Sequence, residues 1–200
     1  MRWPALLLLA VLLRAESIVF LGDSLTAGYG LSAEEAYPAL VGAALTADPA
    51  TARWTVVNGG VSGDTSAGGL RRIDWLLRGK PRVVVIALGA NDGLRALPIA
   101  ELEANLRSIV AKVRTAGAVA MLAGMRLPGN LGPAYAGEFS ALYPRLAAEL
   151  QLPLLPFLLE GVAMDPRLNQ PDQIHPNAEG QRAVALRVAA WLKPQLAALP

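Results

Sequence analysis

The sequence predicts an α/β fold: a three-layer α/β/α sandwich with a five-stranded parallel sheet between two helix layers. Two observations carry that expectation. Short, continuous apolar runs without alternation recur along the chain, which is the pattern of strands covered on both faces. Between them lie longer segments whose apolar residues recur at intervals of three and four, the pattern of helices with one buried stripe. Strands and helices in strict alternation imply right-handed crossovers, and therefore a parallel sheet flanked by helices.

The elements follow in order. Residues 17–21 (SIVFL) are the first strand, stopped by Gly22, and 53–57 (RWTVV) are the second, stopped by Asn58-Gly59-Gly60. The third, 82–88 (RVVVIAL), is nearly pure Val, Ile and Leu between Pro81 and Gly89. Shorter runs at 118–122 and 152–155 supply the fourth and fifth. Helical spacing occurs over 34–45, 66–77, 99–115, 137–150 and 177–192. In the third of these, Leu102, Leu106, Ile109, Val110 and Val113 form one stripe. The last is expected to stop before Pro194. No internal repeat, linker or low-complexity tract interrupts the series.

Bulk properties remove several classes of function. Two hundred residues, 54% of them hydrophobic and 17% charged, suit one domain with a substantial core. A net charge of +2 from scattered basic residues leaves no electrostatic footprint for nucleic acid. The chain has no cysteine, which excludes disulfides, thiolate catalysis and cysteine-ligated metals. With one histidine and no evident carboxylate cluster, a metal site is not expected.

The first fifteen residues differ from the rest. Arg2 precedes an apolar run over residues 4–13, too short for a membrane-spanning helix, so no stable membrane anchor is expected. The run fits a signal peptide with Ala15 at the cleavage position, although Leu13 stands where a small residue is preferred. A buried N-terminal extension is the alternative. The expected organisation is a signal peptide over 1–15 and one domain over 16–200, periplasmic or secreted, and a monomer.

In open parallel sheets, ligands bind beyond the carboxyl ends of the strands. Those positions hold Gly22-Asp23-Ser24-Leu25, then Asn58 to Thr65, then Gly89-Ala90-Asn91-Asp92-Gly93. The loop before the final helix carries Asp172-Gln173-Ile174-His175. Ser24 is either a plain cap of the next helix or a nucleophile beside a positive helix end. His175 is the only imidazole, hence the only side chain with an ordinary pKa near neutrality, and Pro176 presets the helix behind it. Asp172, three residues earlier, is either a turn residue or the group that orients the imidazole. Gly63 and Asn91 are turn residues or, with the Ser24 N–H, donors for a developing oxyanion. Asp64 and Thr65 read better as structural residues. A nucleophile, a base, an orienting acid and oxyanion donors all at predicted strand ends are improbable as coincidence.

Ser24, Gly63, Asn91 and His175 stand in the four blocks that define the SGNH hydrolase superfamily, also called GDSL lipases or esterases, which this chain resembles. The phrases FLGDSLTAGYG, VVNGGVSGDTSAGGL, LGANDGLR, MRLPGNLGPAYAGEFSALYPRLA and IHPNAEGQ are similar to the bacterial multifunctional thioesterase/arylesterase/lysophospholipase branch. The likeness implies a flavodoxin-like sandwich with a shallow, open site. It also implies hydrolysis of short- to medium-chain acyl esters, thioesters or lysophospholipids without metal or cofactor. Ala90 stands where many relatives have glycine, and no Gly-x-Ser-x-Gly elbow surrounds Ser24.

Catalysis is then expected from Ser24, Asp172 and His175, with an oxyanion hole of Ser24, Gly63 and Asn91. Leu94, with the loop 125–136 and its Leu127, Leu131 and Tyr135, is expected to line an acyl groove. Leucine dominates these loops and aromatics are only 6% of the chain, so lipid-like acyl groups are favoured over sugar acetates. Carbohydrate O-deacetylation on the same fold is the alternative, weak peptide cleavage a secondary activity, and a non-catalytic binding module the reading from another class.

Overall fold

The computed structural model describes residues 16–128 and 131–199, so the predicted signal peptide lies outside the described residues. The strands are β1 (Glu16–Gly22), β2 (Trp54–Gly60), β3 (Val83–Ala87), β4 (Val119–Ala123) and β5 (Leu154–Leu155). They form one sheet in the order β2-β1-β3-β4-β5, parallel at every pairing. The strand order reverses at β1. A crevice therefore opens where the chain leaves β1 and β3 toward opposite faces, the switch point at which such sheets bind ligands.

The central strands are apolar because both faces are covered: Val83 to Ala87 are all buried, and Ile18 to Leu21 are at most 3% exposed. The helices are α1 (Ser24–Ala27), α2 (Tyr37–Thr46), α3 (Ser66–Leu77), α4 (Ala90–Leu94), α5 (Ile99–Thr115), α6 (Pro133–Glu149) and α7 (Ala178–Ala197). Helix α2 packs on α7 along the β2 side of the sheet, while α3 and α6 each pack on α5. The stripe predicted for α5 is buried throughout. No helix among the described residues is long and apolar enough to cross a membrane.

Several boundaries differ from the sequence expectation, each for a physical reason. A continuous helix from residue 34 would put Pro38 in its interior, with no N–H to offer Glu34. Instead Ser32 and Glu35 close a capping box on a 3₁₀ turn, Ala33–Glu35, and a fresh helix begins at Tyr37. Helix α6 starts early, at Pro133, because Gly132 (φ +87°) turns the chain and proline suits the first helical position. Helix α7 does not stop at Pro194. The hydrogen bond forgone there is offset by burial of Leu196 (1% exposed) and by the Lys193–Asp48 ion pair at 2.7 Å. Strand β5 shrinks to two residues, since Pro153 before it has no N–H for the ladder. The helix expected at Ser24 is a single turn, α1, and the single-turn helix α4 was not foreseen.

Candidate active site

The site is built outward from the end of β1. A Cβ on Gly22 would sit 1.9 Å from Thr26 Oγ1, so only glycine lets the chain turn so tightly. Asp23 caps the turn, its Oδ1 accepting the Leu25 N–H at 3.0 Å. Gly28, in the left-handed region (φ +76°), ends α1 and donates to Ser24 O. Ser24 is thereby held, partly exposed, at the carboxyl end of β1. Because α1 has only four residues, little dipole accumulates along it, contrary to the helix-end expectation. Its contribution is the Ser24 N–H itself.

Strand β2 closes on this turn. A Cβ on Gly60 would lie 2.2 Å from Ala27 N, and Asn58 ties the end of β2 to α1 by donating to Thr26 O at 2.9 Å. Arg72 completes the tie, donating to Gly22 O (2.8 Å), Gly59 O (2.6 Å) and the Asp64 carboxylate (2.6 Å). Asp64 and Thr65 have the structural roles expected of them, since Thr65 caps α3 through the Gly68 N–H.

The loop before α7 brings the base. His175 Nε2 lies 2.9 Å from Ser24 Oγ, and its Nδ1 lies 2.6 Å from Asp172 Oδ2. The other carboxylate oxygen, Oδ1, accepts the N–H groups of Ile174 (2.9 Å) and His175 (3.0 Å), so the Asp-x-x-His segment closes on itself. Partial burial acts to raise the Asp172 carboxyl. The hydrogen bonds from the His175 backbone, the imidazole and the Ile174 N–H outweigh it and hold the pKa down to about 2. An ionised Asp172 accepts a hydrogen bond from Nδ1–H, which fixes the proton on that nitrogen and leaves Nε2 to accept from the serine hydroxyl.

Asp23 is the opposite case. It is fully buried, its Oδ2 has no hydrogen-bond partner among the described residues, and desolvation pushes its carboxyl up to about 6.

The predicted oxyanion donors come from the ends of three strands. Gly63 has φ +81°, and a Cβ there would meet nothing closer than Arg95 at 3.8 Å, so backbone conformation and not space requires glycine. Its carbonyl accepts from Arg95 at 3.0 Å. Asn91 follows Gly89, whose φ is +118° and whose Cβ position is taken by the Tyr143 hydroxyl. One Asn91 amide hydrogen goes to Asp64 O at 3.0 Å, leaving the second for a ligand. The Ser24 and Gly63 N–H groups donate to nothing among the described residues. Behind Asn91, buried Asp92 accepts from Ser66 N–H (2.8 Å) and Ser66 Oγ (2.5 Å), which locks α4 to α3.

A groove of about 270 Å³ opens beside Ser24, Asn91 and His175. Leu94 and Leu127 line it as expected. Leu131 does not, and neither does Tyr135, whose hydroxyl donates to Leu97 O at 2.7 Å. Helix α6 begins at Pro133, so the chain has already left the groove at these two positions. Met125, from the loop expected there, also lines it, while Phe157, Leu159 and Ile174 add to the apolar wall and were missed. Met125 follows β4, and Phe157 and Leu159 follow β5. The strand-end rule, applied to those two strands as well, would have found them.

Comparison with known proteins agrees with this geometry. The pattern of the GDSL-like lipase/acylhydrolase family matches residues 20–183. "Thioesterase 1/protease 1/lysophospholipase L1" of Escherichia coli K12 is 43% identical, over 96% of this chain and 93% of its own length. An arylesterase of Vibrio mimicus is 39% identical, over 91% and 90%. The crystal structure of the psychrotrophic esterase EstA from Pseudoalteromonas, inhibited by monoethylphosphonate, superposes with a TM-score of 0.85 at 34% identity, covering 91% of this chain and 99% of EstA. The chain belongs to the GDSL-like lipase/acylhydrolase family, the SGNH hydrolases.

Proposed function

We propose that this chain hydrolyses carboxylic esters and thioesters of short- to medium-chain acyl groups through an acyl-enzyme on Ser24. The observation that carries the reading is the unbroken relay from Asp172 through His175 to Ser24, at 2.6 and 2.9 Å. His175 takes the hydroxyl proton as Ser24 Oγ attacks the acyl carbonyl, and Asp172 steadies the imidazolium that results. The oxyanion is received by the N–H groups of Ser24 and Gly63 and by the Asn91 amide, each such donor worth about 3 kcal/mol. His175 then protonates the departing alcohol or thiol. Water, activated by the same imidazole, attacks the acyl-enzyme, and Ser24 recovers its proton as the acid leaves.

The groove supports an acyl substrate over a sugar. Its wall is mostly apolar, chiefly leucine and methionine with one isoleucine and one phenylalanine, and Arg126 lies over the Phe157 ring at 5.0 Å. The activities for which the relatives are named, thioesterase, lysophospholipase and arylesterase, share this acyl chemistry. Residues 1–15 are read as a signal peptide and the mature enzyme as periplasmic or secreted and monomeric. The support is Arg2 ahead of the apolar run and the absence of cysteine.

The test is initial-rate measurement on p-nitrophenyl esters of increasing chain length, on acyl-CoA and on an acetylated sugar. Turnover should peak at medium chains and fall by about 10⁴-fold or more in Ser24→Ala, with the fold intact. Full activity in Ser24→Ala would remove the assignment, and activity confined to the sugar would make the chain an O-deacetylase.

A further inference from the structure

Two in-plane hydrogen bonds hold the His175 imidazole, one at each nitrogen. Both act at the edge of the ring and neither touches its face. A third contact does. The Tyr29 ring lies over the imidazole, with centroids 4.6 Å apart and planes tilted by 39°.

Tyr29 is 51% exposed, yet its backbone is anchored to both sides of the relay. Its N–H donates to Ser24 O at 3.1 Å. Its carbonyl accepts from Gln170 Nε2 at 2.7 Å, and the same nitrogen donates to Pro176 O at 3.1 Å. The Gln170 N–H in turn donates to His175 O at 2.8 Å. Gly28 and Gly30 on either side are both left-handed, at φ +76° and +79°. A Cβ on Gly30 would lie 2.6 Å from Gln170 Oε1, so the bridge needs this glycine. The ring is thus carried on a short frame that joins nucleophile turn to base loop.

We propose, on the strength of the serine-hydrolase reading above, that Tyr29 is a positioning residue for the base. Its ring face holds the imidazole in line with Ser24 Oγ and steadies the imidazolium formed as Ser24 gives up its proton. Packing against the ring face acts on the neutral imidazole as well, but the attraction of an electron-rich ring for a cation is added only once the imidazole is charged. The contact therefore stabilises the transition state more than the ground state, which raises kcat and leaves KM alone. Tyr29 is not among the residues lining the groove, which also argues for an effect outside KM.

The experiment compares Tyr29→Phe and Tyr29→Leu with the full unmodified chain and with Ser24→Ala, on one p-nitrophenyl ester. Tyr29→Phe keeps the ring and should stay within about twofold of the original kcat, whereas Tyr29→Leu should lose about 10-fold in kcat at unchanged KM. Inactivation by a phosphonate ester, which reads serine attack without a substrate, should slow by the same factor in Tyr29→Leu only. Undiminished kcat in Tyr29→Leu, a loss confined to KM, or an equal loss in Tyr29→Phe would overturn the role of Tyr29. Absence of serine-dependent turnover in the unmodified chain would remove both readings, whereas serine-dependent turnover with Tyr29→Leu unimpaired removes this one alone.

Discussion

The turn that follows β1 is buried and tightly packed, whereas the loop that leads into α7 is open to solvent and held by hydrogen bonds. The two meet at Ser24 and His175, and each carries an aspartate in a contrasting state. Asp23 is fully buried with one oxygen unpartnered, and its carboxyl is pushed up to about 6 by desolvation. The Asp172 side chain is 39% exposed, accepts hydrogen bonds on both oxygens, and is held down to about 2. The nucleophile is placed by sterics, through glycines that leave no room for a methyl group. The base is placed by polar bonds, through a carboxylate that organises its own loop. The two regions should accordingly fail in different ways, one through shape and the other through charge.

The largest effects belong to the loop and appear in rate. His175→Ala should lower kcat about 10⁵-fold and Asp172→Asn about 10³-fold, since an orienting acid transfers no proton itself. The melting temperature should barely move in either, because the loop is solvated. Equal losses in the two variants would mean that Asp172 does more in the reaction than orient the imidazole and steady its charge.

On the turn side the largest effect is in stability. Gly60→Ala drives a methyl group into the backbone of Ala27. It should cost about 3 kcal/mol, lowering the melting temperature by about 6–12 °C. An unchanged melting temperature would show that the turn can yield, and that packing does not place the nucleophile.

The smallest effect is a change of slope with pH. The folded-state pKa of Asp23, about 6, lies above the ordinary 3.8, so the folded protein keeps this proton after the unfolded chain has lost it. Stability from this group is therefore complete below about pH 4, declines as pH rises through about 6, and is then level. The gap of roughly two pH units corresponds to at most about 3 kcal/mol. Asp23→Asn removes the titration, so its melting temperature relative to the original chain should climb between pH 4 and pH 7.5. A constant difference across that range would show that burial of Asp23 carries no such penalty.

The order and type of the elements were legible because apolar periodicity is a local property. Val83 to Ala87 is a short, β-branched run between Pro81 and Gly89, which reads as a strand with both faces covered, and Leu102 to Val113 repeats at the spacing of a helix with one. The relay was legible for a chemical reason: one imidazole exists, an aspartate stands three residues before it, and a serine follows the first strand. Element boundaries were less so, because Pro194 marks a stop by local rules and only the burial of Leu196 carries α7 past it.

What the tertiary structure alone decided is which distant segments meet. Ser24 and His175 are 151 positions apart, and no local preference brings them within 2.9 Å. Their meeting depends on the strand order β2-β1-β3-β4-β5, which puts the end of β1 at the switch point. The same long-range packing buries Asp23, seats Phe157 and Leu159 in the groove, leaves Leu131 outside it and lays Tyr29 on His175. Propensity and periodicity act over a few residues, whereas burial and contact are properties of the assembled sheet. A sequence can therefore name the residues of such a site before it can say how they are held.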